Sequence, residues 1–181
     1  MSNIVELTDI YKSFDKISEA YEQILDNPIL MEEFIYDSLS MKKKLIELDE
    51  FDQGPRNVMN YGHSFGHAIE TATNYAIPHG IAVTIGMDIA NFVAVELDMT
   101  SSSHFERMHE VLDKNCKTYR HVNISVDTLL NALSKDKKNS TTQLRLILPD
   151  KNRVIGIGLY DNNERLKNSI DKYLKTYSID N

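Results

Sequence analysis

Three of the six histidines of this 181-residue chain, His63, His67 and His79, fall within a window of seventeen residues. His63 and His67 stand four apart in Asn60-Tyr-Gly-His-Ser-Phe-Gly-His-Ala-Ile-Glu70. A helix over this stretch projects both imidazoles from one face, close enough to share one ion or one substrate. His79 follows Pro78, where a second helix can begin. Neutral imidazole is the commonest nitrogen ligand of zinc, and a catalytic zinc keeps about three protein ligands and one position open for water or substrate. His63 and His79 are the candidate ligands, brought to one point if their helices run antiparallel. A lone histidine is more often a hydrogen-bonded core or capping residue, but three together, interleaved with Gly62, Gly66 and Gly80, reverse that balance. Glycine costs a helix about 1 kcal/mol relative to alanine, so Gly62 and Gly66 point to close approach of backbone or ligand.

Helices must carry these residues. Apolar positions Ile10, Phe14, Ile17, Tyr21, Ile24 and Leu25 recur at three- and four-residue steps after an N-cap at Thr8 or Asp9. Pro28 resets the chain, and a second helix is predicted from Ile29 to Glu50 with Leu30, Phe34, Leu39, Leu45 and Ile46 inward, ended by Gly54-Pro55. A third carries the histidines and breaks at Ala76-Ile77-Pro78. His79 to Leu97 then reads as a nearly all-apolar, buried central helix. Further helices are predicted at Phe105–Lys117 behind Ser101 to Ser103, from Asp127 through Leu133, and over Asn162–Tyr177. One region alternates as strands do, Gln143 to Leu148 followed by Arg153 to Ile157, a small hairpin. The fold expected is mainly α, a bundle-like set of helices with one β-hairpin, forming a single domain over residues 1–181.

Bulk properties exclude other classes. The 27 acidic and 20 basic residues give a formal net charge of −7, unsuited to a general binder of nucleic-acid backbone. The lone Cys116 precludes an internal disulfide framework, and no apolar run approaches the ~20 residues of a membrane span. The first residues lack the basic and apolar blocks of a signal peptide, so a cytoplasmic location is expected.

The segment Asn60 to Glu70, with His79-Gly80-x-Ala-Val-x-Ile-Gly-Met87, resembles the 3-dehydroquinate synthase family of sugar-phosphate cyclases. The resemblance runs upstream through Lys42 to Ile46, Asp49-Glu50 and Arg56, and downstream to Asp136-Lys137-Lys138 and Leu144 to Pro149, covering residues 29–160. It implies the helical metal domain of that family without the NAD-binding α/β half. No Gly-x-Gly-x-x-Gly loop occurs in the chain. By the same resemblance His63 and His79 are two of three ligands of a zinc or cobalt ion. The third, a glutamate in a Glu-x-x-Lys motif, has no match, since neither Glu19 nor Glu22 is followed by lysine at that offset. The chain is therefore expected to begin after that glutamate and to bind metal weakly. His67 matches a substrate-contacting histidine that assists proton movement. Lys42, Arg56 and Asn60 match residues that hold the substrate's phosphate, carboxylate or hydroxyls, and Lys137 or its neighbour Lys138 supplies a further phosphate contact.

The implied chemistry is oxidation, phosphate β-elimination, reduction and intramolecular aldol closure on a sugar phosphate. With the standard substrate this is a lyase step of the shikimate pathway to aromatic amino acids. NAD would be bound by a domain upstream or on a separate chain, and this chain alone is expected to be inactive. The surface that meets that domain is expected to be apolar and open to self-association. Ile81 stands where the family has the glutamate of His-Gly-Glu, which alters the surroundings of the site. Two other readings are a fragment of a metal-dependent polyol dehydrogenase and a non-catalytic helical interaction domain; the doubled Gly-His-x-Phe-Gly-His favours the cyclases.

Overall fold

Short turns separate the helices, and Asn27 and Ser101 cap the helices that follow them through their side chains. The computed structural model describes residues 3–51, 54–135, 139–140, 142–152 and 154–177. It divides into two compact units, Met1–Met59 and Asn60–Asn181.

In the first unit α1 (Asn3–Asp26) and α2 (Pro28–Leu48) meet at Asn27, whose side-chain oxygen accepts from the amides of Ile29 at 3.1 Å and Leu30 at 3.2 Å. Pro28 fits the first turn because its missing N–H would have no helical partner there. Helix α1 begins five residues before the expected cap at Thr8. Past α2 the Asp49 carboxylate accepts from the amides of Gly54 at 2.7 Å and Arg56 at 3.2 Å, leading into a 3-10 segment at Pro55–Asn60. Ile24 and Leu45 are buried. Leu39, expected inward, and Leu25, one of the periodic apolar positions of α1, are exposed, and Ile29, Tyr36 and Leu39 form an apolar stripe on α2 that is 72%, 71% and 60% exposed. Periodicity identified the helix, but a two-helix unit can bury only one face of each partner.

The second unit is organised around α4 (His79–Glu96), against which pack α3 (His63–Ala72), α5 (Ser102–Cys116), α7 (Glu164–Tyr177) and the first strand of a hairpin. Helix α6 (Val126–Ser134) packs on α3 and α7. Strands β1 (Gln143–Pro149) and β2 (Ile155–Asp161) pair antiparallel, from Gln143 opposite Asp161 to Pro149 opposite Ile155. The second strand lies later than the sequence suggests. Asp150 takes the intervening residues into the turn, its side chain accepting from the amides of Asn152 and Val154, each at 2.8 Å. Arg153 lies outside the described residues. Among the described residues no helix is long and apolar enough to cross a membrane.

One charge interrupts the apolar surface of α4. Asp88 is fully buried, and its Oδ2 accepts from His109 Nδ1 at 2.7 Å, the Arg120 guanidinium at 2.9 Å and the Tyr173 hydroxyl at 2.6 Å. Arg120 also donates to Asp113 at 3.1 Å and to the Tyr173 oxygen at 2.6 Å. A buried carboxylate is tolerated only with such compensation, so this one ties α4, α5, the segment after α5 and α7 together. Burial, then the neighbouring Asp88 charge, holds the Tyr173 phenol well above its ordinary range, and burial pushes the Cys116 thiol up to about 12.

Removing the carboxylate in Asp88→Ala leaves Arg120 with Asp113 as its carboxylate partner and takes the acceptor from His109 and Tyr173, and is expected to lower unfolding free energy by about 3–5 kcal/mol, measured by urea denaturation. Because the folded-state values of Tyr173 and Cys116 lie above their unfolded ones, their contributions are complete at neutral pH. Each is lost as pH rises past the unfolded value, about 8.5 for thiols and 10 for phenols. Tyr173→Phe should flatten the upper part of that alkaline decline. The stripe on α2 should drive concentration-dependent self-association in sedimentation, weakened by Tyr36→Ser with Leu39→Ser; a strict monomer at high concentration would count against it.

Candidate metal and substrate site

Glycines set the distance between the helices that carry the histidines. Gly62, the N-cap of α3, has φ +79°, a left-handed conformation that glycine adopts without strain. A Cβ there would lie 2.5 Å from Met87 Cγ and 2.7 Å from the Val83 carbonyl oxygen. At Gly66 a Cβ would lie 3.0 Å from Val83 Cα, and at Gly86 it would collide with the Gly62 carbonyl oxygen. The α3 and α4 backbones therefore touch. Of the two kinds of approach the sequence left open at Gly62 and Gly66, the structure has that of backbone. Gly80 meets nothing within 4 Å and does leave open space. Between the helices Asn74 and Tyr75 take left-handed φ of 50° and 61°, and the Tyr75 amide donates to Glu70 O at 2.7 Å. These residues reverse the chain and set His79 at the first position of α4.

The result is a triangle of imidazoles with ring centroids 5.6 Å apart for His63 and His67, 5.5 Å for His63 and His79, and 5.6 Å for His67 and His79. Rings that bind one tetrahedral zinc at about 2.0–2.1 Å have centroids about 5 Å apart, so the residues present fit such an ion. The rings differ in their surroundings. His63 is partly buried on α3, with Nδ1 3.4 Å from the Tyr61 carbonyl oxygen. Burial, partly offset by that contact, lowers its pKa from the usual 6.5 and favours the neutral form a metal needs. His79 is exposed, with Nδ1 3.2 Å from each carboxylate oxygen of Glu70. His67 is exposed, and among the described residues no hydrogen bond fixes its ring.

Glu70 is the residue that sequence reasoning passed over. It stands seven positions after His63 and three after His67, offsets that place all three on one helical face. One donor atom from each of His67, Glu70 and His79 lies within 4.8 Å of the others. That grouping omits His63, whereas the ring centroids make the three histidines equivalent. The centroids are the better guide to shared access, because imidazoles turn about χ2 while their helices hold the rings in place.

Asn60 ends the 3-10 segment, half-buried, three residues before His63. Lys42 and Arg56 belong to the first unit. Lys42 is exposed on α2, and the Arg56 guanidinium donates to Glu50 O at 2.8 Å. Lys137 and Lys138 lie outside the described residues. A recess of about 230 Å3 adjoins His67, lined also by Ser64, Thr71 and Lys135. Lys135 was not singled out from sequence. A larger cavity of about 450 Å3 lies by Arg120 and Tyr173, without any of the three histidines. The charges there are mutually satisfied, Arg120 by Asp88 and Asp113 and Lys175 by Asp171 at 2.6 Å, so the smaller recess is the one with chemistry to offer.

The family model for the C-terminal region of 3-dehydroquinate synthase matches residues 5–139. A 3-dehydroquinate synthase of Helicobacter pylori is 32% identical over 161 residues, which are 88% of this chain and 46% of the relative. The chain thus spans about half the length of such relatives. Among solved structures, 2-deoxy-scyllo-inosose synthase in complex with carbaglucose-6-phosphate, NAD+ and Co2+ superposes with a TM-score of 0.68 at 23% identity, covering 81% of this chain and 43% of that one. The 2-epi-5-epi-valiolone synthase of Streptomyces hygroscopicus, with NAD+ and Zn2+ bound, gives 0.62 at 16% identity, covering 96% and 49%. Those two likenesses establish the fold. The matched family model and the 32% identity establish the lineage, and the chain belongs to the family of 3-dehydroquinate synthase C-terminal domains.

Proposed function

We propose that this chain is the metal and substrate half of a sugar-phosphate cyclase that depends on NAD and a divalent metal, with 3-dehydroquinate synthesis as its reaction. The triangle of His63, His67 and His79 carries the proposal, because three imidazoles at 5.5–5.6 Å need a shared ion or substrate to explain their convergence. In this reading His63 and His79 are the ligands. His63 has Nδ1 at the Tyr61 carbonyl and His79 has Nδ1 at Glu70, which leaves each Nε2 available. When bound, a zinc or cobalt ion supplies Lewis acidity at a substrate hydroxyl, and NAD held by another half supplies hydride exchange. His67, exposed beside the recess that holds Ser64, Thr71 and Lys135, moves a proton at a substrate oxygen. Lys135 supplies positive charge for a phosphate oxygen at the same recess. Lys42, Arg56, Asn60 and Lys137 are proposed as further substrate contacts on the strength of the motifs they match, and Arg56 is suited to fork onto carboxylate or phosphate.

Two imidazoles without a carboxylate ligand hold zinc weakly. Titration of the chain with Zn2+ or Co2+ should detect a site that His63→Ala or His79→Ala abolishes and His67→Ala largely preserves. Equal effects of all three substitutions, or none, would overturn the division of roles. Affinity should fall as pH drops below about 6.5, because protons compete for imidazole nitrogen. Burial keeps His63 neutral to a lower pH than an ordinary imidazole.

Activity tests the reading as a whole. The chain alone should release no phosphate from sugar phosphates with NAD present. Combination with an NAD-binding half of a homologous cyclase should restore phosphate release and a carbocyclic product. NAD-dependent cyclisation by the chain alone, or a ketose in place of a carbocycle from the combination, would refute it.

A further inference from the structure

We infer that Glu70 is the positioning residue of the metal site, a carboxylate that fixes the tautomer and orientation of His79. The inference rests on the proposed role of His79 as a ligand. Helix α4 has no acidic residue in its first turn, and Ile81 offers His79 no partner from its own helix. The carboxylate comes instead across the interface from α3. Its oxygens both lie 3.2 Å from His79 Nδ1.

A carboxylate accepts and does not donate when ionised, so this contact requires the hydrogen on Nδ1. The lone pair is then on Nε2, the nitrogen left for an ion. The two partners also differ in solvation, with the Glu70 side chain 13% exposed and that of His79 54%. The better-buried member is the anchor, and the exposed ring, otherwise able to turn at the helix terminus, is what it restrains. His63 has the analogous arrangement, with the Tyr61 carbonyl at its Nδ1. Outer partners of this kind raise the basicity of the ligand and hold its ring in place, and losing one typically lowers metal affinity about 10–100-fold.

The test uses the whole 181-residue chain, with Co2+ binding followed by visible absorption and imidazole tautomers followed by 1H–15N NMR. In the unsubstituted chain without metal, His79 should show hydrogen on Nδ1. Glu70→Ala should abolish that signature and weaken Co2+ binding about 10–100-fold with the band shape unchanged. Glu70→Gln, whose amide oxygen still accepts, should recover most of both. Hydrogen on Nε2 of His79 in the unsubstituted chain overturns the inference, and so does unchanged affinity in Glu70→Ala. A changed band shape in both variants overturns it too, because Glu70 would then be a ligand itself. His79→Ala separates the two levels. If Co2+ binding survives that substitution, the metal reading of His79 fails; if binding is lost there but not in Glu70→Ala, only the role of Glu70 fails.

Discussion

A single added carbon at Gly86 would strike the Gly62 carbonyl oxygen, and at Gly66 it would press on the Val83 backbone. No side chain separates α3 from α4 along this line. The closeness puts the first residue of α4 beside the first two turns of α3, where His63 and His67 project. Side chains of ordinary size hold helix axes 8–10 Å apart. An alanine at any of the three glycines would push the helices apart, and His79 would move away from the other two rings. The glycines serve the site without touching it. Their unfavourable conformational entropy in the helix is offset by van der Waals contact along the interface.

The same helix is fastened from another side by Asp88, fully buried and accepting three hydrogen bonds from α5, Arg120 and α7. Few apolar contacts are so directional. Apolar packing lets helices slide by small steps at little cost, whereas a buried carboxylate with three donors permits one arrangement. Helix α4 thus has a glycine contact that sets its distance from α3 and a charged cluster that sets its rotation. Between them they fix where α4 begins relative to α3, and so where the backbone of His79 lies. The rings of Phe105, His109, Tyr173 and Tyr177 pack on one another beside that cluster.

Electrostatics then divides three chemically identical side chains. His63 is held below the usual histidine pKa chiefly by burial and sits at a backbone carbonyl. His79 is exposed but meets a carboxylate, and His67 is exposed beside a recess with Lys135. Rings at equal distances from one another therefore stand in different surroundings. Spacing in the sequence brings them together, and the partner of each second nitrogen distinguishes them.

The sequence by itself determined the helices, their order and the three histidines, because periodicity, proline breaks and Ser caps are local signals. The His63–His67 spacing and the Pro78 break made an antiparallel pair the condition for His63 and His79 to meet. It did not determine which apolar residues are inside. Leu25 and Leu39 fit the stripe yet remain exposed, since burial depends on what packs against a face and not on the face alone. Nor did it reveal Asp88, which looks like an isolated charge in an apolar helix until Arg120 and Tyr173 arrive from 32 and 85 residues away. Glu70 was visible as part of a motif, but its contact with His79 exists only because α3 and α4 are folded back on each other. Local chemistry is written in spacing; the partners that tune it are set by long-range packing, which one sequence read along its length does not contain.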